Sequence, residues 1–143
     1  EIPLLLDPIA QGRADFVQGS RFLKTNAHFG PMPFYRKIAT RVHPWLFSAV
    51  AGRRVSESTN GFRALRCSIL EDSRLTLDQG WLDEYELEPY LYIQAIRLGY
   101  RTEEVAVTKI YPPKAQGQTK MKPITGWWSM LKPLVYLGLG IRK

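Results

Sequence analysis

Helical and extended signals alternate along this chain, and that alternation narrows the available folds more than any other feature. In residues 1–10, Ile2, Leu5, Leu6 and Ile9 fall at helical spacing, Gly12 is the expected stop, and Pro3 and Pro8 weigh against the helix. Residues 14–20 hold Phe16 and Val17, which favour a strand ending near Gly19. Helical spacing returns over residues 34–51, where Tyr35, Ile38, Val42, Trp45, Leu46 and Ala49 are predicted to share the inward face. Pro44 is expected to kink or split that helix, and Gly52 to stop it. Residues 55–61 read as a polar loop, 62–66 as a short strand, 68–70 as a short helix and 72–80 as a polar connection. Residues 84–98 read as a helix with Leu87, Leu91, Ala95 and Leu98 inward, Pro89 tolerated in its first turns and Gly99 as its end. Residues 101–110 read as a strand, 112–122 as a flexible basic loop, and 125–141 as an amphipathic helix that Pro133 could break. The order suits an α/β layer with few strands, whose sheet edges need another copy or further polypeptide to cover them.

Composition sets outer bounds. The 143 residues suit one domain, and 45% hydrophobic with 23% charged residues is ordinary for a globular chain. A formal net charge of +7 favours anionic partners such as phosphates, nucleic acid or an acidic membrane surface, although by itself it best fits a basic surface that only aids solubility. The single cysteine, Cys67, rules out an internal disulfide, suits a reducing compartment, and reads as a buried thiol. His28 and His43 have no cysteine or carboxylate at ligand spacing and read as loop and helix residues. The most apolar run, 131–141, is interrupted by Lys132 and falls short of the ~18 residues that suggest a membrane-spanning helix. The chain opens at Glu1 with neither methionine nor a visible signal peptide, as expected of a piece cut or processed from something longer.

Three segments carry a chemical signal together: Thr59-Asn-Gly-Phe-Arg63, Tyr85-Glu-Leu-Glu88 and Gly99-Tyr-Arg-Thr-Glu-Glu-Val105. Taken jointly they resemble the acceptor side of family 2 glycosyltransferases, and the resemblance extends over nearly the whole chain. It implies a partial GT-A (Rossmann-like) α/β fold lacking its nucleotide-binding half. Residues 1–122 would belong to that domain and 123–143 would form amphipathic helix at its end. It further implies a nucleotide-sugar donor, an inverting mechanism, and a divalent metal (Mg or Mn) bound mainly by an Asp-x-Asp motif upstream of Glu1.

The candidate site residues follow from position and from that resemblance. Ser20 and Arg21 stand where a strand ends, which in α/β sheets borders the binding crevice, and Arg21 can contact phosphate in a two-pronged way. Arg36 and Thr40 lie four apart on one helix face; the resemblance implies acceptor-phosphate contacts, while the spacing equally fits a solvated face. Asn60, Gly61 and Arg63 form an Asn-Gly turn, common in itself, where Gly61 permits close backbone approach. Glu57 occupies the place of a family aspartate. Glu86 and Glu88 open a helix, where acidic residues also suit the dipole, and the resemblance ranks Glu88 first as an ordering group or base. Glu104 is expected to tie strand to loop through an ion pair, and Lys120, in Gly117-Gln-Thr-Lys120, to meet a phosphate.

The leading expectation is transfer of a sugar to a polyprenyl or dolichyl phosphate, with Arg21, Arg36 and Lys120 holding phosphate and Glu57 and Glu88 ordering the site. This chain alone is expected to be inactive. The alternatives are a sugar or other hydroxyl acceptor with Glu88 as base, and a non-catalytic module binding membrane or anions. The run from Trp127 to Lys143 mixes aromatic, aliphatic and basic residues; it suits a headgroup boundary and equally a packed helix or subunit contact. The expected location is cytoplasmic, peripheral at the cytoplasmic face of a membrane, with a homo-oligomer possible. No nucleic-acid motif accompanies the charge.

Overall fold

The computed structural model describes residues 1–23, 34–83, 85–108 and 125–141; within these, the side chains of residues 34–37, 125 and 127 are not described. In chain order the elements are α1 (Ile2–Ala10), β1 (Phe16–Ser20), α2 (Phe34–Ala51), β2 (Arg63–Leu65), α3 (Cys67–Leu70), α4 (Leu87–Arg97), β3 (Thr102–Ala106) and α5 (Thr125–Gly138). The architecture is mixed α/β around a three-stranded mixed sheet in the order β2-β1-β3. β1 pairs antiparallel with β2, Val17 opposite Ala64, and parallel with β3, Gln18 opposite Glu104. As the middle strand β1 is buried along its whole length, which is why its sequence lacks an alternating polar face.

The two sheet faces are covered unequally. Val17 packs with Leu5 and Ala14 beneath α1. Phe16 points the other way into the main core, with Phe47 of α2, Ile93 of α4 and Leu134 and Leu137 of α5. Its ring stacks on Tyr92 at a centroid distance of 4.8 Å, and Tyr92 in turn meets Phe47 at 5.0 Å. Gly52 and Gly99 follow α2 and α4 with φ of +75° and +83°, a backbone that L side chains resist.

Several expected faces differ from those observed. α2 turns Thr40, His43, Phe47 and Ala51 inward and leaves Ile38, Val42 and Trp45 exposed. The reason is that His43 finds partners on both sides of its ring, so burying it leaves no polar atom wanting. In α4 the buried residues are Pro89, Tyr90, Tyr92, Ile93 and Ala95; Leu87 is exposed, and Leu91 and Leu98 are only partly covered. The larger tyrosine rings take the space against Phe16 and Trp81. α1 buries Leu5 and Pro8 and exposes Ile2 and Leu6. Cys67 is exposed, because short α3 buries Ile69 alone. α2 and α5 each run unbroken through their prolines, Pro44 and Pro133, both of which are buried. The 112–122 loop and the outer end of the 101–110 strand lie outside the described residues. Among the described residues, no helix is long and apolar enough to cross a membrane.

Candidate functional site

Because β1 and β3 are parallel, their carboxyl ends open on the same side, where α/β sheets form crevices. The segment between α2 and β2 closes over this edge, and its sequence explains how it is held. A Cβ on Gly19 would lie 2.7 Å from the Phe62 carbonyl oxygen and 3.1 Å from Val107 Cγ2, so only glycine lets the segment sit so close. The Gly19 amide donates to that same carbonyl at 2.9 Å. Asn60 Nδ2 donates to the Gly19 carbonyl at 3.0 Å, and the Phe62 amide donates to Asn60 Oδ1 at 3.3 Å.

Arg21 and Glu57 form a buried ion pair, Nε to Oε2 at 2.6 Å, with the two residues 4% and 0% exposed. A second guanidinium nitrogen of Arg21 donates to Thr59 Oγ1 at 2.9 Å. The other Glu57 oxygen accepts from the Thr59 amide at 2.9 Å and from its hydroxyl at 2.8 Å. Both carboxylate oxygens are thus committed, and Glu57 is a positioning residue. Glu104 reaches across from β3 and accepts from the Ser56 and Glu57 amides and from Ser56 Oγ, at 2.9 to 3.0 Å. It does tie strand to loop, but through backbone amides rather than the expected ion pair, since the loop offers N–H groups at that point. Ser20 Oγ completes the link with Ser56 Oγ at 2.7 Å.

The loop's far end rests on α4. Arg63 donates to the Glu88 carbonyl at 2.7 Å and to the Asn60 carbonyl at 2.9 Å, and its guanidinium lies 3.3 Å from Glu88 Oε2. Burial pulls the Arg63 guanidinium below its ordinary value, while Glu88, Tyr92 and Glu57 push the other way. The Glu88 side chain is 48% exposed and lies against Gly61, where a Cβ would come within 3.2 Å of Oε1. Glu86, by contrast, is buried and accepts from Ser129 Oγ at 2.9 Å and Lys132 Nζ at 3.2 Å, which anchors α4 to α5.

A cavity of about 370 Å³ lies between α2 and the beginning of this loop, lined among others by Phe22, Thr40, Arg41, Trp45, Arg54 and Ser56. Among the described residues no Asp or Glu lines it. Two arginines with a buried threonine hydroxyl, over an apolar floor of Phe22, Pro44 and Val55, suit an anion attached to an apolar body.

The structure therefore brings Ser20, Arg21, Glu57, Asn60, Gly61, Arg63 and Glu88 into one bonded chain, with Thr40 joined to it through the cavity wall it shares with Ser56. The Arg36 side chain and Lys120 lie outside what is described. Sequence reasoning missed four participants. Arg41 and Arg54 carried no motif. Gln18, fully buried, donates to the Asn60 carbonyl at 2.7 Å; a glutamine directly after the apolar Phe16-Val17 pair was its signal. His43 bridges Ser58 Oγ at 2.8 Å and the Met130 carbonyl at 3.1 Å, and burial lowers its pKa.

Among the described residues no three His, Cys, Asp or Glu side chains gather into a metal site. The oxygens of Glu57 and Glu104 already accept hydrogen bonds, so these two carboxylates are committed to the loop rather than offered to a cation.

The chain is 30% identical over 134 residues to the dolichyl-phosphate hexose transferase of Haloferax volcanii. The match takes in 94% of this chain and 53% of that protein, so the chain spans about half the length of the relative. No protein-family profile matches the chain. No solved structure matches it either.

Proposed function

We propose that this chain is the acceptor side of an inverting GT-A glycosyltransferase that moves a hexose from a nucleotide sugar to the phosphate of a dolichyl or other polyprenyl lipid. The cavity carries this reading: Arg41 and Arg54 with Thr40, no carboxylate among the described residues, and apolar Phe22, Pro44 and Val55. The name of the Haloferax relative supports the same acceptor. In the reaction an oxygen of the lipid phosphate attacks the anomeric carbon, and the bond from that carbon to the nucleoside diphosphate breaks with its electrons leaving on the diphosphate. The acceptor is already an anion, so no base is needed to deprotonate it. Arg41 and Arg54 attract and orient the phosphate, the Thr40 hydroxyl hydrogen-bonds it, and Arg36 and Lys120 add charge. Arg21 and Glu57 fix the loop that walls the site.

The test is radiolabel transfer by the protein expressed from the whole reading frame that carries this chain, offered dolichyl phosphate or a free sugar. Labelled lipid is expected with dolichyl phosphate, and Arg41→Ala with Arg54→Ala should raise the KM for that lipid at least about tenfold, as expected when charge-assisted bonds are lost. Glu88→Gln should change the rate only a few-fold. A loss of about a hundredfold or more on Glu88→Gln, together with transfer to the free sugar, would instead mark Glu88 as a base for a hydroxyl acceptor.

A further inference from the structure

The outer face of α2 has a makeup that the core does not use, and of the residues on it Trp45 and Arg41 also border the cavity. Ile38, Val42, Trp45 and Ala49 follow one another at intervals of four, three and four, so at 3.6 residues per turn they form one ridge. That ridge lies opposite the buried Thr40, His43, Phe47 and Ala51. Trp45 is 72% exposed, Ile38 49% and Val42 47%. α2 also carries Arg36, Lys37 and Arg41 and no Asp or Glu over its eighteen residues.

We propose that this face docks on an anionic lipid bilayer, with α2 lying in the headgroup plane. A helix with an apolar ridge, a tryptophan on it and a cation next to it, here the exposed Arg41, binds such a surface through apolar burial and attraction to acidic lipid together. The charge pattern separates this partner from others. Pairing the face with a second copy would set like charges against each other, with no acidic residue on α2 to answer them. Ile38 and Val42 have no ring to stack on nucleobases, which single-stranded nucleic acid asks of its binding surface. The inference does not rest on glycosyl transfer, because docking requires neither donor nor acceptor.

The experiment is co-sedimentation of the whole chain with vesicles of phosphatidylcholine alone or with 30% phosphatidylglycerol, beside Ile38→Gln/Val42→Glu. Neither substituted residue lines the cavity, so a defect in docking is distinguishable from a defect in acceptor binding. Binding is expected to the acidic vesicles, at least about tenfold weaker to the neutral ones and at least about tenfold weaker in the double variant. Raising salt from 50 to 500 mM should weaken the unsubstituted chain's binding, a readout that needs no variant to fold. Equal binding to both vesicle types, or unchanged binding by a double variant of unchanged circular dichroism, overturns the proposal. So does a dimer on gel filtration that the double variant dissociates while the unsubstituted chain ignores vesicles.

Discussion

Replacing Glu57 by glutamine tests the bonding that shapes the site wall. The change keeps size and removes one charge. Glu57 is wholly buried and Arg21 nearly so, so the guanidinium is left desolvated beside a neutral amide. Whichever way the amide is turned, its NH2 faces a donor: Arg21 Nε at 2.6 Å on one side, or the Thr59 amide and hydroxyl at 2.9 and 2.8 Å on the other. Removing one partner of a buried pair costs about 3–5 kcal/mol, a large share of the roughly 5–15 kcal/mol that holds a domain folded. With a urea slope of about 2 kcal/mol/M, a loss of about 4 kcal/mol lowers the unfolding midpoint by about 2 M. The assay is urea unfolding followed by circular dichroism, on Glu57→Gln, Arg21→Met and the two combined. The combined variant should lose less than the sum of the singles by at least about 1 kcal/mol, because neither leaves the other stranded. A Glu57→Gln midpoint within about 0.3 M of the unsubstituted chain, at ordinary slope, would refute the reasoning.

Two further outcomes follow from the same geometry. Gly19→Ala should cost about 1–3 kcal/mol in thermal or urea unfolding, because the new methyl meets the Phe62 carbonyl at 2.7 Å and neither strand can give way; unchanged stability would count against the close approach. His43 is held neutral by burial, with its folded-state pKa below the ordinary 6.5, so the unfolded chain binds the extra proton first. Its contribution is therefore complete above pH 6.5 and is lost as pH falls from there toward the folded-state value, and His43→Gln should flatten that part of the urea-midpoint profile.

Much of the element order was legible because glycine and proline punctuate it. Gly52 and Gly99 end α2 and α4 as expected, with positive φ. Phe16 and Val17 marked the central strand correctly. Which side of a helix faces inward was far less legible. α2 has apolar residues on several sides, and the choice was made by partners distant in sequence, Ser58 and Met130, that satisfy His43. A sequence window contains neither. In α4 the leucines at helical spacing lost to Tyr90 and Tyr92, whose ring partners are Trp81 for the one and Phe16 of β1 and Phe47 of α2 for the other. Within the site, the Asn60-Gly61 turn and the Arg21 and Glu57 positions were readable as motif residues. Their direct pairing was not, since 36 residues separate them. Arg41 and Arg54 stayed invisible because only the fold sets them together on one cavity wall, thirteen positions apart in sequence.

The most direct measurement of the central claim is calorimetric binding of a short isoprenyl phosphate, farnesyl phosphate, compared with farnesol, to the chain and to Arg41→Ala/Arg54→Ala. If the cavity receives a phosphate on an apolar body, farnesyl phosphate binds at least about tenfold more tightly than farnesol, and the double variant removes most of that difference. Equal binding of the phosphate and the alcohol, or a phosphate preference that survives the loss of both arginines, would contradict the account.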